Sequence, residues 1–280
     1  MDTNPQGFHE ETSFLSNLPK TEWKLAANTT LLHWKGFWLM PVTIKSAISV
    51  ESQFNPLSSD ILLASFPKTG TTWLKALATT ILSHDSNPKS DSQTDQLQTH
   101  NPHELIPFLE METFGENASR DINQYPSPRV FSTHLPYSIL PESIKNSGCR
   151  IIYISRNPAT LLFPVGISLT RDLVLKSHSK RLSMSSAMEL LWEVHLSIMC
   201  WNIGLSGDEI EQVVWKCSHE RLSKLDVNKD EDRVQTSGIK FSSYFRTGVV
   251  GDGKKLLSPE MMERIENLSK QRWEGSGLEL

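Results

Sequence analysis

The side chains best suited to chemistry gather in one short stretch, Phe66-Pro67-Lys68-Thr69-Gly70-Thr71-Thr72-Trp73. It follows an apolar run, Ile61 to Ala64, that reads as a buried strand. It precedes a helical pattern beginning at Thr72, which sets Trp73, Leu74, Leu77, Ala78, Ile81 and Leu82 mostly on one face. A strand, a glycine-containing turn and a helix N-terminus together bind anions, because the first helical amides lack internal partners and the helix dipole favours negative charge there. Lys68 adds a mobile cation, Thr69, Thr71 and Thr72 add hydroxyl donors, and Gly70 lets the backbone approach a ligand closely. The loop is not of the G-x-x-x-x-G-K-[ST] type, since Lys68 precedes Gly70 and no earlier glycine opens the larger cradle. Two more residues fit the same chemistry. His134 comes just after a strand-like run, Arg129 to Ser132, and an imidazole at a strand end can accept a proton near neutral pH. Arg156 stands after another such run, Arg150 to Ser155, where a magnesium-binding acid would stand in a nucleotide triphosphatase; a cation there disfavours the metal and suits a phosphate. His9, His33, His84, His100 and His103 are scattered without i, i+4 pairing, so no metal is expected.

The elements that position these residues alternate. Strand-like runs separated by helical segments predict an α/β fold with a parallel central sheet and helices on both faces. The 280 residues suit a single domain over 1–280, with 1–20 as a loosely ordered arm. Residues 84–99 are rich in Ser, Asp, Asn and Gln and predict a surface loop. Trp34 to Ser46, with Trp34, Phe37, Trp38 and Met40, reads either as a wall of an acceptor pocket or as aromatic packing onto the core. Ser186-Ala187-Met188-Glu189 is a capping-box pattern with Gly204 as a stop, and Ser258-Pro259-Glu260 opens a later helix. A net charge of −4 gives no electrostatic reason to expect nucleic acid or an anionic membrane as partner. No window is long and apolar enough to span a bilayer. Met1 to Glu11 is polar and acidic, unlike a leader peptide, and the three cysteines, Cys149, Cys200 and Cys217, read as reduced thiols of a cytoplasmic protein.

The stretch Phe66 to Trp73 resembles the 5′-phosphosulfate loop of the cytosolic sulfotransferases of plant type. So do Asn101 to Glu110, Ser127 to Pro136, Ile151 to Pro158, Phe245 to Asp252 with Leu257 to Met261, and Gly275 to Leu278. The resemblance runs from about residue 15 to the end. It implies the P-loop-like sulfotransferase fold, with 3′-phosphoadenosine 5′-phosphosulfate (PAPS) as sulfuryl donor and no metal. It implies His134 as the proton acceptor, and Lys68 as the residue that binds the phosphosulfate and steadies the bridging oxygen. Thr69, Gly70, Thr71 and Thr72 would hold phosphate oxygens, and Trp73 would stack on adenine. Arg156, Arg246, Thr247 and Gly248 would take the 3′-phosphate. The acceptor would be a small hydroxylated molecule: a flavonoid, steroid, hormone or glucosinolate precursor. The resemblance leaves open whether the chain forms a homodimer.

Several positions depart from the family pattern. Pro164 replaces a 3′-phosphate serine and offers neither hydroxyl nor N–H. Thr247 replaces a lysine, His219 a phenylalanine that packs on adenine, and Gly253 a tryptophan. The family carries several tens more residues at the place of 179–208, including a strand whose tyrosine contacts the nucleotide. An alternative to an active enzyme is therefore a degenerate, non-catalytic relative with weak or no PAPS binding. A kinase or nucleotide triphosphatase is disfavoured by the position of Lys68 and the missing acid after Ile154.

Overall fold

Three parallel strands carry the site. In this computed structural model they are β4 (Ile61–Ser65), β5 (Val130–Thr133) and β6 (Arg150–Ile154), in the order β5-β4-β6. The structure describes residues 13–23, 29–86, 95–115, 118, 120–154, 205–235, 238–245 and 258–260, with the single positions 263, 264, 267 and 271. Upstream lies a small antiparallel sheet, β1 (Lys20–Glu22), β2 (Thr30–Trp34) and β3 (Phe37–Leu39), and then helix α1 (Pro41–Gln53). Helix α2 (Thr71–Ser86) follows β4, and α3 (Pro102–Leu105) leads toward β5. Helix α4 (Glu142–Asn146) precedes β6; α5 (Gly207–Lys216), α6 (His219–Leu222) and α7 (Asp226–Lys229) come later.

The parallel sheet is covered on both faces because its apolar residues alternate. Leu62 and Phe131 face a cluster with Ala47, Val50 and Phe54 of and beside α1. Ile61 and Leu63 face a second cluster with Leu74 and Ala78 of α2. All five residues of β4 are buried, as befits a central parallel strand. Leu74, Leu77 and Ile81 are buried on α2, each contributing about 1.5–3 kcal/mol by the transfer of its side chain from water. At the amino-terminal edge Asp60 and Arg129 form a buried ion pair, with Arg129 Nε donating to Asp60 Oδ1 at 2.9 Å and Nη2 to Oδ2 at 2.5 Å. The pairing Ile61↔Val130 starts directly beyond it, so the pair sets the register of β4 and β5.

The expected α/β architecture holds, with local corrections. Helix α2 begins at Thr71 and continues to Ser86, into the segment expected as a loop; Leu97 of that segment is buried and anchors a short 3₁₀ turn, Gln96–Gln98. Within the expected arm, Leu15 is buried against Leu32 and Ile44, and residues 1–12 lie outside the described residues. Trp34 packs against two core clusters, whereas Phe37, Trp38 and Met40 are exposed. The helix expected from Ser186 to Gly204 lies outside the described residues, while Pro259 and Glu260 are helical after Ser258. Among the described residues no helix is long and apolar enough to cross a membrane.

Candidate active site

All three parallel strands end on one edge, and the predicted loop hangs from the middle strand. Thr69 closes the loop: its amide and its hydroxyl both donate to the Phe66 carbonyl, at 3.2 and 2.7 Å. Lys68 has φ +68° and Gly70 φ +123°, both in the left-handed region. A non-glycine residue held there is characteristic of ligand sites, because surrounding structure must enforce it. A Cβ on Gly70 would meet Ile154 Cδ1 at 3.0 Å, so the close packing of loop against β6 also requires glycine. The first helical bond of α2 is Leu74 N to Gly70 O, at 2.9 Å; the amides of Thr71, Thr72 and Trp73 precede it and crown a 16-residue helix. The Thr71 hydroxyl is shared with Ser65 Oγ at 2.7 Å, tying the helix start to the strand end.

The register Ala64↔Thr133 brings His134 beside Ser65. His134 Nδ1 lies 2.7 Å from the Ser65 carbonyl oxygen, which can only accept, so Nδ1 carries the proton and Nε2 keeps its lone pair. The His134 amide donates to Glu110 Oε1 at 2.5 Å, and the ring packs against Phe108 at 4.5 Å. Desolvation lowers the His134 pKa to about 4, opposed by the Ser65 carbonyl and reinforced by the charges of Lys75 and Lys68. The imidazole is therefore neutral near pH 7. Burial raises the Glu110 carboxyl above its ordinary range, against the pull of the His134 amide.

Beneath the loop lies a buried polar layer that sequence reasoning did not find. Lys75, fully buried on α2, lies with its Nζ 3.1 Å from His103 Nδ1 and 3.6 Å over the Phe108 ring. Burial lowers its pKa to about 7, and the carboxylates of Glu112 and Glu110 pull it back up. His103 Nε2 lies 2.9 Å from Thr72 Oγ1, and its ring stacks between Tyr244 at 4.2 Å and Phe108 at 5.7 Å. Desolvation holds its pKa well below the usual histidine value. Lys68 Nζ reaches 5.2 Å above the same Tyr244 ring, and the Tyr244 hydroxyl donates to Gln235 Oε1. Lys75 and Thr72 are one turn apart, as are Lys75 and Thr79; this polar i, i+3, i+4 spacing is the signal that was available, but on a helix it reads as a solvated face. His103 sits in a capping box, Asn101 to Glu104, that needs no functional explanation.

The structure thus brings together Lys68, Thr69, Gly70, Thr71, Thr72 and His134. Trp73, like Leu105, Ile210, Leu225 and Phe245, packs against the cluster that contains Leu77 and Cys217. His219, first residue of α6, lies 6.4 Å from the Phe245 ring, and its Nε2 is buried with no partner among the described residues. Arg156, Arg246, Thr247 and Gly248, and with them Pro164 and Gly253, lie outside the described residues.

A strand, phosphate loop and helix with a neutral histidine one strand away can bind an anionic ligand and accept a proton beside it. Residues 58–164 match the family model described as the sulfotransferase domain. The chain is 32% identical to cytosolic sulfotransferase 8 of Arabidopsis thaliana over 320 aligned positions, covering 97% of this chain and 93% of that one. Its fold is shared with a mouse sulfotransferase complexed with PAP, at a TM-score of 0.59 and 18% identity over 88% of this chain and 96% of the other. It is shared also with retinol dehydratase in complex with androsterone and inactive cofactor PAP, at a TM-score of 0.62 and 16% identity over 100% of this chain and 97% of the other. The loop geometry, the strand-end histidine and the near full-length identity to a plant relative converge on one conclusion: the chain belongs to the cytosolic sulfotransferase family.

Proposed function

We propose that the chain transfers a sulfuryl group from PAPS to a hydroxyl of a small-molecule acceptor, with His134 as general base. The observation that carries this reading is the 2.7 Å contact from His134 Nδ1 to the Ser65 carbonyl. It leaves Nε2 as the proton-accepting atom, on a strand end next to the loop. His134 would take the acceptor hydroxyl's proton at Nε2 as the oxygen attacks sulfur. Lys68 and the amides of Gly70, Thr71, Thr72 and Trp73 would hold the 5′ end of the donor and steady the charge left on the departing phosphate. Arg156, Arg246, Thr247 and Gly248 would hold the 3′-phosphate. A sulfuryl group carries less charge than a phosphoryl group, which fits a site built from one lysine and backbone donors. His219 and Trp73 would flank adenine, with His219 Nε2 as an added hydrogen-bonding group.

A second reading, a degenerate relative that no longer turns over, has its own support. The alignment to the plant relative spans 320 positions against the 280 residues of this chain, which supports the reading of a missing internal segment. Pro164 and Thr247 fall in the 3′-phosphate set. Titration with adenosine 3′,5′-bisphosphate separates the two. Ligand at 100 times its Kd stabilises a folded binder by about 2.7 kcal/mol. No change in melting temperature at millimolar ligand sinks the enzyme reading. Where binding occurs, His134→Ala is expected to lower donor-dependent turnover by about 10²–10⁴-fold. Equal turnover by variant and wild type removes His134 from the mechanism.

A further inference from the structure

Thr72 offers a ligand one hydroxyl, and what that hydroxyl can do depends on a side chain it touches on its inner side. Thr72 Oγ1 lies 2.9 Å from His103 Nε2, and His103 Nδ1 lies 3.1 Å from Lys75 Nζ. A lysine ammonium has donors and no acceptor. His103 Nδ1 must then accept, and a neutral imidazole that accepts at one nitrogen carries its proton on the other. The Nε2–H donates to Thr72 Oγ1 and occupies a lone pair of that oxygen. The single hydroxyl proton of Thr72 is left to point away from His103. If the polarity were reversed, with Nδ1 protonated, Thr72 would spend its proton on Nε2 and present only lone pairs to an anion.

The surroundings favour the first polarity. Burial lowers the Lys75 pKa to about 7, against the pull of the Glu112 and Glu110 carboxylates, so at pH 6 Lys75 is an ammonium. The Phe108 face 3.6 Å below Nζ suits a cation. Desolvation keeps His103 neutral, and the charges of Lys75 and Lys68 act in the same direction. Tyr244 and Phe108 clamp the His103 ring plane from two sides, so its two nitrogens stay aimed at Lys75 and Thr72.

We propose that Lys75 and His103 form a hydrogen-bond relay that turns the Thr72 hydroxyl outward as a donor to an anionic oxygen of the bound nucleotide. Both are positioning residues, because they act through Thr72 and touch no ligand themselves. The inference rests on the reading of the loop as a nucleotide site, and two measurements keep them apart. Nitrogen-15 spectra of the histidine side chains of the full chain at pH 6, without ligand, should show His103 protonated at Nε2 and bare at Nδ1. Calorimetry with adenosine 3′,5′-bisphosphate then compares wild type, Thr72→Val, Lys75→Met and the double variant. Each single variant should bind about tenfold more weakly, as the loss of one oriented hydrogen bond predicts. The double variant should also lose about tenfold, since both changes remove the same donor. His103→Gln, whose carbonyl can accept from Lys75 while its amide donates to Thr72, should bind within about threefold of wild type. An Nδ1-protonated His103 with nucleotide binding intact overturns the relay alone. So does a double variant that loses about a hundredfold, the product expected if Lys75 were merely structural. Failure of the wild type to bind the nucleotide overturns the reading of the loop, and the relay with it.

Discussion

Replacing Asp60 with Asn should destabilise the protein sharply and measurably, because it strands a buried guanidinium. Asp60 and Arg129 have side chains only 3% and 9% exposed and share two hydrogen bonds. Asp60 Oδ2 also accepts from the Leu57 amide at 2.8 Å, and Arg129 Nη2 donates to the Asn55 carbonyl at 3.0 Å. Asparagine keeps the shape and loses the charge, and breaking one side of a buried pair costs about 3–5 kcal/mol. For 280 residues the unfolding entropy is about 0.6 kcal/mol per degree, so the melting temperature should fall by about 5–8 °C. Arg129→Met should cost a similar amount, but Asp60→Leu with Arg129→Met should recover most of it, since an apolar pair leaves no charge unpaired. Urea unfolding of wild type, Asp60→Leu, Arg129→Met and their double variant gives the coupling energy directly. Single variants within 1 kcal/mol of wild type, or a coupling energy near zero, would refute the reasoning. The pair lies roughly 16 Å along β4 from Ser65, so at temperatures where the variants stay folded, nucleotide affinity should hold.

The remaining expectations concern the site. His134 and His103 have pKa values held below the ordinary histidine value, to about 4 for His134, so the unfolded chain binds more protons there; stability is full above about 6.5 and is lost as pH falls toward 4. Urea midpoints across that range test it, and a His134→Gln variant should show a shallower loss. Lys75 shifts the other limb: the folded protein releases its proton near 7 and the unfolded chain near 10.5, so stability should rise with pH between those values, and Lys75→Met should flatten the rise. Gly70→Ala places a Cβ 3.0 Å from Ile154 Cδ1 at a φ of +123°, and should cost about 1–3 kcal/mol, read as a lower melting temperature with weakened nucleotide binding. An unchanged melting curve would mean that the loop relaxes freely.

Local chemistry made the loop legible. Strand, turn and helix start are decided by residues within a few positions of one another, so Phe66 to Trp73 could be read as a strand–loop–helix unit, and β4 and α2 appeared within a residue of their expected starts. Partnerships across the chain were not legible in the same way. Lys75 falls off the apolar face of its helix, and periodicity assigns such a position to water. Only the packing of the 102–113 segment against α2 shows that this face is covered by His103, Phe108, Glu110 and Glu112, which leaves the lysine wholly buried. His134 could be picked out by type and by its place after a strand. Which nitrogen bears its proton depends on the parallel register that puts Ser65 beside it, residues 69 positions apart in the chain. By itself the sequence determined the family, the strand–loop–helix unit and the strand-end place of His134, because those rest on local patterns. The tertiary structure decided which nitrogen of His134 faces the Ser65 carbonyl and how deeply Lys75 is buried, because hydrogen-bond partners and desolvation depend on distant neighbours that no local pattern encodes.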